Sequence, residues 1–269
     1  MAHVAWLTIA PVKGLALVEL EEVSLGPRGV AEDRRFHIVD ETGRRYGLLR
    51  DGRLGLVRPA YDSARERLEL AFPDGSVVAG AVEVDGEVTT DFFGRPVEGQ
   101  LVRGPWNEAL SAHVGRPLRL VRTKEPGTGV DRGGRRGSVT MLSEASLEEL
   151  RERAGREERV DPRRFRMLIG IGGVGPHEED EWLGSRVQVG EAVVLLRKQV
   201  ARCAITTQNP KTGVRDFDTL REIKAYRGLR QQKEIDFGVY GAVAEPGRVR
   251  LGDPIEPLAD FDRFVTSAS

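Results

Sequence analysis

The sequence predicts a mainly β fold with barrel-like architecture and a few helices. Short segments of alternating polar and apolar residues recur along the 269-residue chain, which is typical of half-buried strands. The chain has 32 glycines and 14 prolines to supply turns, whereas helical spacing of apolar residues is confined to about three stretches. Many short strands with few helices favour a barrel over a wound α/β sheet.

In the first half, the alternation predicts strands over 15–23, 35–39 and 67–72. The last of these is followed by Pro73-Asp74-Gly75-Ser76 and then by Val77-Val78. This order predicts a hairpin, because proline presets φ for a turn and glycine accepts a positive φ.

In the second half, the pattern predicts two further pairs of strands. One pair joins 186–190 to 193–196. The other joins 237–243 to 248–251, and Glu245-Pro246-Gly247 supplies the turn between them.

Three stretches are predicted to be helical. The first covers 106–114, and the second covers 144–154 with Ser143 as its N-cap. Asp218 is expected to cap the third. A strand-dense, glycine-rich segment gives way to the first helix near Gly104-Pro105, so we expect a domain boundary there.

Composition excludes several classes of protein. The chain has 41 basic and 42 acidic side chains, and this balance argues against nucleic acid as a partner. No apolar run approaches the roughly 20 residues that span a bilayer, and the first 14 residues do not resemble a signal peptide. Cys203 is the only cysteine, which rules out an intrachain disulfide and a cysteine zinc cage. We expect a globular cytoplasmic protein without a membrane partner.

The segment around Cys203 is the first candidate for chemistry. A single cysteine in an apolar stretch can be a small buried core residue. However, the adjacent Arg202 favours the thiolate, and Thr206 and Thr207 offer hydroxyl donors. The turn residues 209–213 would bring the segment to the surface, and a thiolate is a soft donor for a redox-active metal. The histidines are scattered, which does not favour a Cys/His hydrolase.

Basic residues are clustered in several loops. Asp161-Pro162-Arg163-Arg164-Phe165-Arg166 precedes an apolar run, and Lys13 follows another. Asp33-Arg34-Arg35, Arg50 and Arg53 add further guanidinium groups, which bind phosphate and carboxylate well. Each cluster is either a solvated loop or part of a collar around one anion.

Two loops are expected to shape the pocket. Residues 124–137 carry four basic side chains and five glycines, and form either a solvated loop or a cationic lid. Residues 172–184 place His177 among acidic side chains. We interpret that stretch as a solvated acidic loop, because its carboxylates lack the fixed spacing of a metal cage.

Taken together, these segments resemble the MOSC family (molybdenum cofactor sulfurase C-terminal domain) preceded by its N-terminal β-barrel domain, and in particular the amidoxime-reducing component proteins. The resemblance runs from about Val4 to Leu258. The matching segments are APVKG (10–14), EDRRFHIVDETGR (32–44), LLRDGRL (48–54), 110–121, 141–147, 164–166, 202–213, 237–238 and 251–254. It implies two β-barrel-like domains, 1–104 and 105–269.

The resemblance also implies a cofactor. Cys203 would be the catalytic ligand of molybdenum in a molybdenum cofactor (molybdopterin), and pyridoxal phosphate is not expected. The residues expected to hold the cofactor are Lys13, Arg34, Arg50, Ser143, Arg166, Arg202, Thr206 and Thr207.

The implied activity is the reduction of N-hydroxylated small molecules, with electrons from a separate flavin, haem or iron–sulfur protein. Two alternatives remain open. One is a carrier of cofactor or of sulfur on Cys203 without reductase activity. The other is a degenerate domain that binds another anion, since Met167-Leu168 stands where the family usually has Pro-Asn.

Overall fold

The computed structural model describes residues 1–127 and 138–258, and it confirms a mainly β fold of two barrel-like domains. The strands are β1 (His3–Ile9), β2 (Val18–Glu19), β3 (Glu22–Leu25), β4 (Phe36–Asp40), β5 (Arg45–Tyr46), β6 (Arg58–Asp62), β7 (Arg67–Ala71), β8 (Val77–Ala81), β9 (Glu83–Asp91), β10 (Pro96–Arg103), β11 (Leu118–Thr123), β12 (Val139–Ser143), β13 (Ile169–Gly172), β14 (Arg186–Val189), β15 (Ala192–Ala201), β16 (Asp236–Glu245), β17 (Gly247–Arg250) and β18 (Ile255–Pro257). The α-helices in these ranges are α1 (Trp106–Val114), α2 (Glu144–Arg153) and α3 (Thr219–Arg227).

Two large sheets carry the architecture. Eight strands form a half-barrel in the order β18-β14-β15-β16-β12-β13-β1-β2, and five form a second sheet in the order β5-β4-β11-β10-β9. Strands β6, β7 and β8 form a third sheet, and β17 pairs with β3. Only β12 and β13 run parallel among the paired strands of the described ranges.

The chain crosses between its N-terminal and C-terminal halves, so residues from both halves can contribute to one site. Strand β1 pairs with β13 of the half-barrel, and its Leu7 belongs to the apolar core there. Helix α1 and strand β11 instead pack on the core of the first half, where Trp106 is fully buried. Helix α1 and strand β11 both come after residue 104 and yet pack on this core. The division at 104/105 therefore stays a prediction.

Several local predictions are confirmed. Strands β7 and β8 form the predicted hairpin, with Gly75 at φ +88°, and β14 pairs with β15. Helix α1 covers the predicted residues. The side chains of Ser143 and Asp218 accept backbone N–H bonds at the starts of α2 and α3, as expected of N-caps.

Two strand predictions are wrong. The stretch 15–23 is not one strand, because β2 pairs with β1 and β3 pairs with β17. Residues 247–250 do form a strand, but it does not pair with β16. Strand β16 already has β15 on one side and β12 on the other, so neither of its edges is free for another partner.

Candidate functional site

The thiol of Cys203 is exposed, which rules out a buried core role for this residue. Cys203 follows β15 and caps a short 3-10 helix, Ala204–Thr207. Thr206 fixes this turn, because both its backbone N–H and its hydroxyl donate to the carbonyl oxygen of Cys203 at 3.1 Å. The buried Thr206 hydroxyl also lies 2.6 Å from that of Thr219 at the start of α3. The turn therefore holds the thiol outward on a braced backbone.

Cys203 opens onto a cavity of about 560 Å³, which we call the thiol cavity. Seven basic side chains and no carboxylate are among the described residues that line it; the basic ones are Lys13, Arg34, Arg45, Arg50, Arg164, Arg166 and Arg202. Its walls come from both halves of the chain. Such a surface attracts an anion that also reaches a soft sulfur donor.

Two arginines brace the cavity across the two halves. Arg34 donates from Nη2 to the carbonyl oxygen of Arg166 at 3.4 Å, and Arg166 donates from Nη2 to that of Leu15 at 2.8 Å. Arg34 also pairs with the buried Asp33. Both arginines have left-handed backbones, with φ of +54° and +53°. Such strain persists only where the surroundings enforce it, and it is common in functional sites.

Arg202 supports the backbone of the cavity. Its guanidinium donates to the carbonyl oxygens of Phe165 at 3.0 Å and Phe237 at 2.8 Å, and lies 2.9 Å from the sulfur of Met167. These bonds fix the turn that carries Arg166. Arg202 therefore lines the cavity, but most of its N–H donors are bonded to other residues of the protein.

Three further cavity cations contact aromatic rings or a carboxylate. Lys13 lies 5.9 Å from the ring centre of Phe92, and Arg50 is 4.0 Å from Asp40. Arg45 stacks over Phe93 at 4.1 Å. The Arg50 side chain is half exposed, so it can turn toward a ligand at small cost.

The cavity also includes Arg45, Tyr46, Gly47 and Phe93, which no sequence motif indicates. The only local signal for Arg45 is its position after the Thr42-Gly43 turn. Phe93 is 70% exposed with φ of +60°, a backbone that bulky residues seldom adopt, and its turn is not recognisable as part of a site from the sequence.

Three expected residues lie elsewhere. Ser143 is fully buried at the start of α2, and Thr207 donates its hydroxyl to the carbonyl oxygen of Ala204 at 2.8 Å. Arg53 pairs with Asp51 at 2.6 Å. None of the three lines the thiol cavity as described, because each satisfies a local backbone or side-chain partner.

Replacing Ser143 with alanine tests which role this residue has. As an N-cap, Ser143→Ala should lower the free energy of unfolding by about 1 kcal/mol, measured by urea denaturation. Metal content should not change, since the hydroxyl lies 2.6 Å from that of Ser146. Lost metal with unchanged stability would instead indicate a contact with a cofactor.

The acidic loop is solvated only in part, because Glu181 is exposed but Glu179 is buried, and the loop does not line the thiol cavity. Glu179 is fully buried and accepts from the Ser143 N–H at 3.2 Å, and burial raises the pKa of its carboxyl. His177 lies 3.2 Å from both Ser146 Oγ and the Tyr226 hydroxyl. These hydrogen bonds hold the loop against helices α2 and α3.

His177 should make stability depend on pH. Burial, and then the charge of Arg227, lower its pKa from 6.5 to about 4, although Glu149 opposes the shift. As the pH falls, the unfolded chain therefore binds a proton at His177 at a higher pH than the folded chain does. Stability is lost as the pH falls below 6.5. We expect a loss of about 1.4 kcal/mol between pH 7.5 and 5.5 from this group.

The matched control is His177→Asn, because asparagine tolerates the left-handed backbone at φ +59°. Thermal unfolding of both proteins from pH 7.5 to 5.5 isolates the contribution of the histidine, since the other ionisable groups are present in both. Equal pH slopes in the two proteins would contradict this assignment.

The thiol cavity fits the donor set of a thiolate-ligated anionic cofactor. A volume of about 560 Å³ lies in the range of roughly 300–1,000 Å³ of ligand sites. Gly14 lines it at φ +94°, and its missing side chain leaves the backbone approachable. Met167 and Leu168 are buried, with 1% and 2% of their surface exposed, and do not line the cavity. Their presence therefore takes no basic group away from the cavity lining.

Two features are absent from residues 1–127 and 138–258. No cluster of three or more histidine, cysteine or acidic side chains is arranged to hold a metal ion by itself. Within these ranges no helix has the length and apolar character to cross a bilayer. The candidate lid residues 128–137 lie outside the described residues.

Known proteins resemble this chain over most of its length. Mitochondrial amidoxime-reducing component 1 of Mus musculus is 27% identical over 287 residues, which cover 94% of this chain and 81% of the mouse protein. Molybdenum cofactor sulfurase of Danio rerio is 25% identical and covers 87% of this chain, but only 31% of the sulfurase is matched. The solved YUAD protein of Bacillus subtilis covers 96% of each chain at 16% identity and a TM-score of 0.44.

Family models give the assignment. The model for the MOSC N-terminal beta barrel domain matches residues 1–102, and the model for the MOSC domain matches residues 128–256. The Cys203 turn lies in the second match, while Lys13, Arg34 and Arg50 lie in the first. The chain belongs to the MOSC family, with an MOSC N-terminal beta barrel domain followed by an MOSC domain.

Proposed function

We propose that this chain binds a molybdenum cofactor in the thiol cavity and reduces N-hydroxylated small molecules. The observation that carries the proposal is the exposed Cys203 thiol in a cavity whose described lining has seven basic groups and no carboxylate. The names of the amidoxime-reducing relatives support the substrate class.

Each group of cavity residues has a distinct task in this proposal. Cys203 supplies the thiolate ligand, and Arg34 and Arg166 hold anionic groups of the cofactor where the two halves meet. Lys13 and Arg50 neutralise further charge at the mouth. When bound, the cofactor would supply the two-electron chemistry that converts an N–OH group and two protons to N–H and water.

The proposed reaction needs an electron source outside this chain. We propose a separate flavin, haem or iron–sulfur protein as donor. The cytoplasmic location also remains a proposal.

A carrier function is the second candidate. The exposed thiol of Cys203 is accessible for persulfide formation, and the match to molybdenum cofactor sulfurase favours this alternative. A carrier would hold cofactor or sulfur on Cys203 for another protein and would need no electron donor.

The deciding assay supplies benzamidoxime and reduced methyl viologen to protein expressed with ample molybdate. Formation of benzamidine supports the reductase. Formation of a Cys203 persulfide with a cysteine desulfurase, together with no benzamidine, supports the carrier and contradicts the reductase.

A further inference from the structure

A second cavity of about 740 Å³ adjoins the thiol cavity, and we call it the cationic cleft. Cys203 does not line it. The two cavities share four lining residues, Leu48, Arg164, Arg166 and Ile205. A ligand in the cleft would therefore lie next to a ligand at the thiol.

The charge of the cleft is unbalanced toward positive. Arg58 and Lys211 are exposed, and neither side chain has a hydrogen-bond or ion-pair partner in the part of the chain that is described. Arg163 and Arg164 also line the cleft, but they pair with Asp161 at 2.6 Å and Asp216 at 2.7 Å. Glu19 is the one carboxylate in the described lining. The cleft thus keeps two uncommitted cations for an anionic ligand.

The backbone around the cleft is held in place by several contacts, and Arg58 itself begins strand β6. Gln208 donates from Nε2 to the carbonyl oxygen of Leu48 at 2.6 Å, which ties the Cys203 segment to the first half. Gly52 and Gly213 approach so closely that a Cβ on Gly213 would lie 2.6 Å from the Gly52 carbonyl oxygen. The backbone N–H of Lys211 donates to Asn209 Oδ1 at 2.8 Å. The backbone of the cleft therefore needs little reordering when a ligand binds.

The cleft also offers an apolar wall, formed by Leu17, Leu56, Pro73 and Pro210. A ligand that suits it has a carboxylate or phosphate at one end and an apolar body. We propose that the cationic cleft binds the anionic end of the substrate, while the N-hydroxylated end reaches the thiol cavity. This inference rests on the proposed function and predicts a preference for anionic over neutral N-hydroxylated compounds.

The test compares 4-carboxybenzamidoxime with neutral benzamidoxime on the molybdate-grown protein. Calorimetric titration should give at least about tenfold tighter binding of the carboxylate by the native chain, since charge-assisted bonds to Arg and Lys are strong. The Arg58→Ala/Lys211→Ala variant should lose this preference.

The matched control is Arg215→Ala. Arg215 is an exposed arginine of the same loop region, has no side-chain partner among the described residues and does not line the cleft. This variant should keep the tenfold preference. Equal binding of the two compounds by the native chain, or an undiminished preference in the double variant, would overturn the inference.

Turnover separates this inference from the proposed function. Reduction of both compounds with equal kcat/KM would leave the reductase intact and overturn the role of the cleft. Preferential binding of the carboxylate, lost in the double variant but without reduction of either compound, would support the anion site and overturn the reductase.

Discussion

Replacing Cys203 with alanine should lower amidoxime reduction by at least about 100-fold, because loss of groups that merely orient a metal ligand already costs 10–100-fold. The measurement is the kcat of benzamidoxime reduction with reduced methyl viologen as electron source. Cys203 is exposed, so its removal should leave the free energy of unfolding within about 0.5 kcal/mol of the native value.

The control for this result is Cys203→Ser, which keeps the shape of the side chain but replaces sulfur with a harder oxygen donor. It should also be inactive, since the chain has no other cysteine. Full activity in either variant would contradict a thiolate role.

Replacing Gly213 with alanine should lower the free energy of unfolding by about 2–4 kcal/mol and weaken cofactor retention. Gly213 has φ of +70°, and a Cβ there would lie 2.6 Å from the Gly52 carbonyl oxygen. The overlap would push apart the two loops that carry Leu48 and Gln208. Urea denaturation measures the loss of stability, and metal analysis measures the loss of cofactor.

Gly43→Ala is the matched control. Gly43 has a similar φ of +77°, but a Cβ there meets nothing within 4 Å. It should cost about 1–2 kcal/mol from the backbone alone. Equal losses in the two variants would contradict the argument that the close approach of the two loops shapes the cavities.

The sequence predicted those parts of the fold that depend on neighbouring residues. Ser143 and Asp218 cap their helices within three residues of themselves, and the β7–β8 turn is closed by its own proline and glycine. Strand partners depend on distant residues. Nothing near 248–251 in the sequence reveals that β3 is its partner.

The same distinction applies to the site. Cys203, Arg34 and Arg166 lie in recognisable sequence motifs, and all three line one cavity. Thr207 lies in the Cys203 motif and Ser143 in the matching segment 141–147, but local partners use their hydroxyls. Motif membership places a residue near a site, whereas the local hydrogen bonds decide whether its side chain is available to a ligand.

The most direct test of the central claim is the molybdenum content of the native chain purified from cells grown with ample molybdate. We expect close to one molybdenum per chain, released together with a pterin on denaturation. We also expect much less metal in Cys203→Ala prepared in the same way. A native chain without molybdenum would contradict the proposed cofactor and favour the degenerate domain that binds another anion.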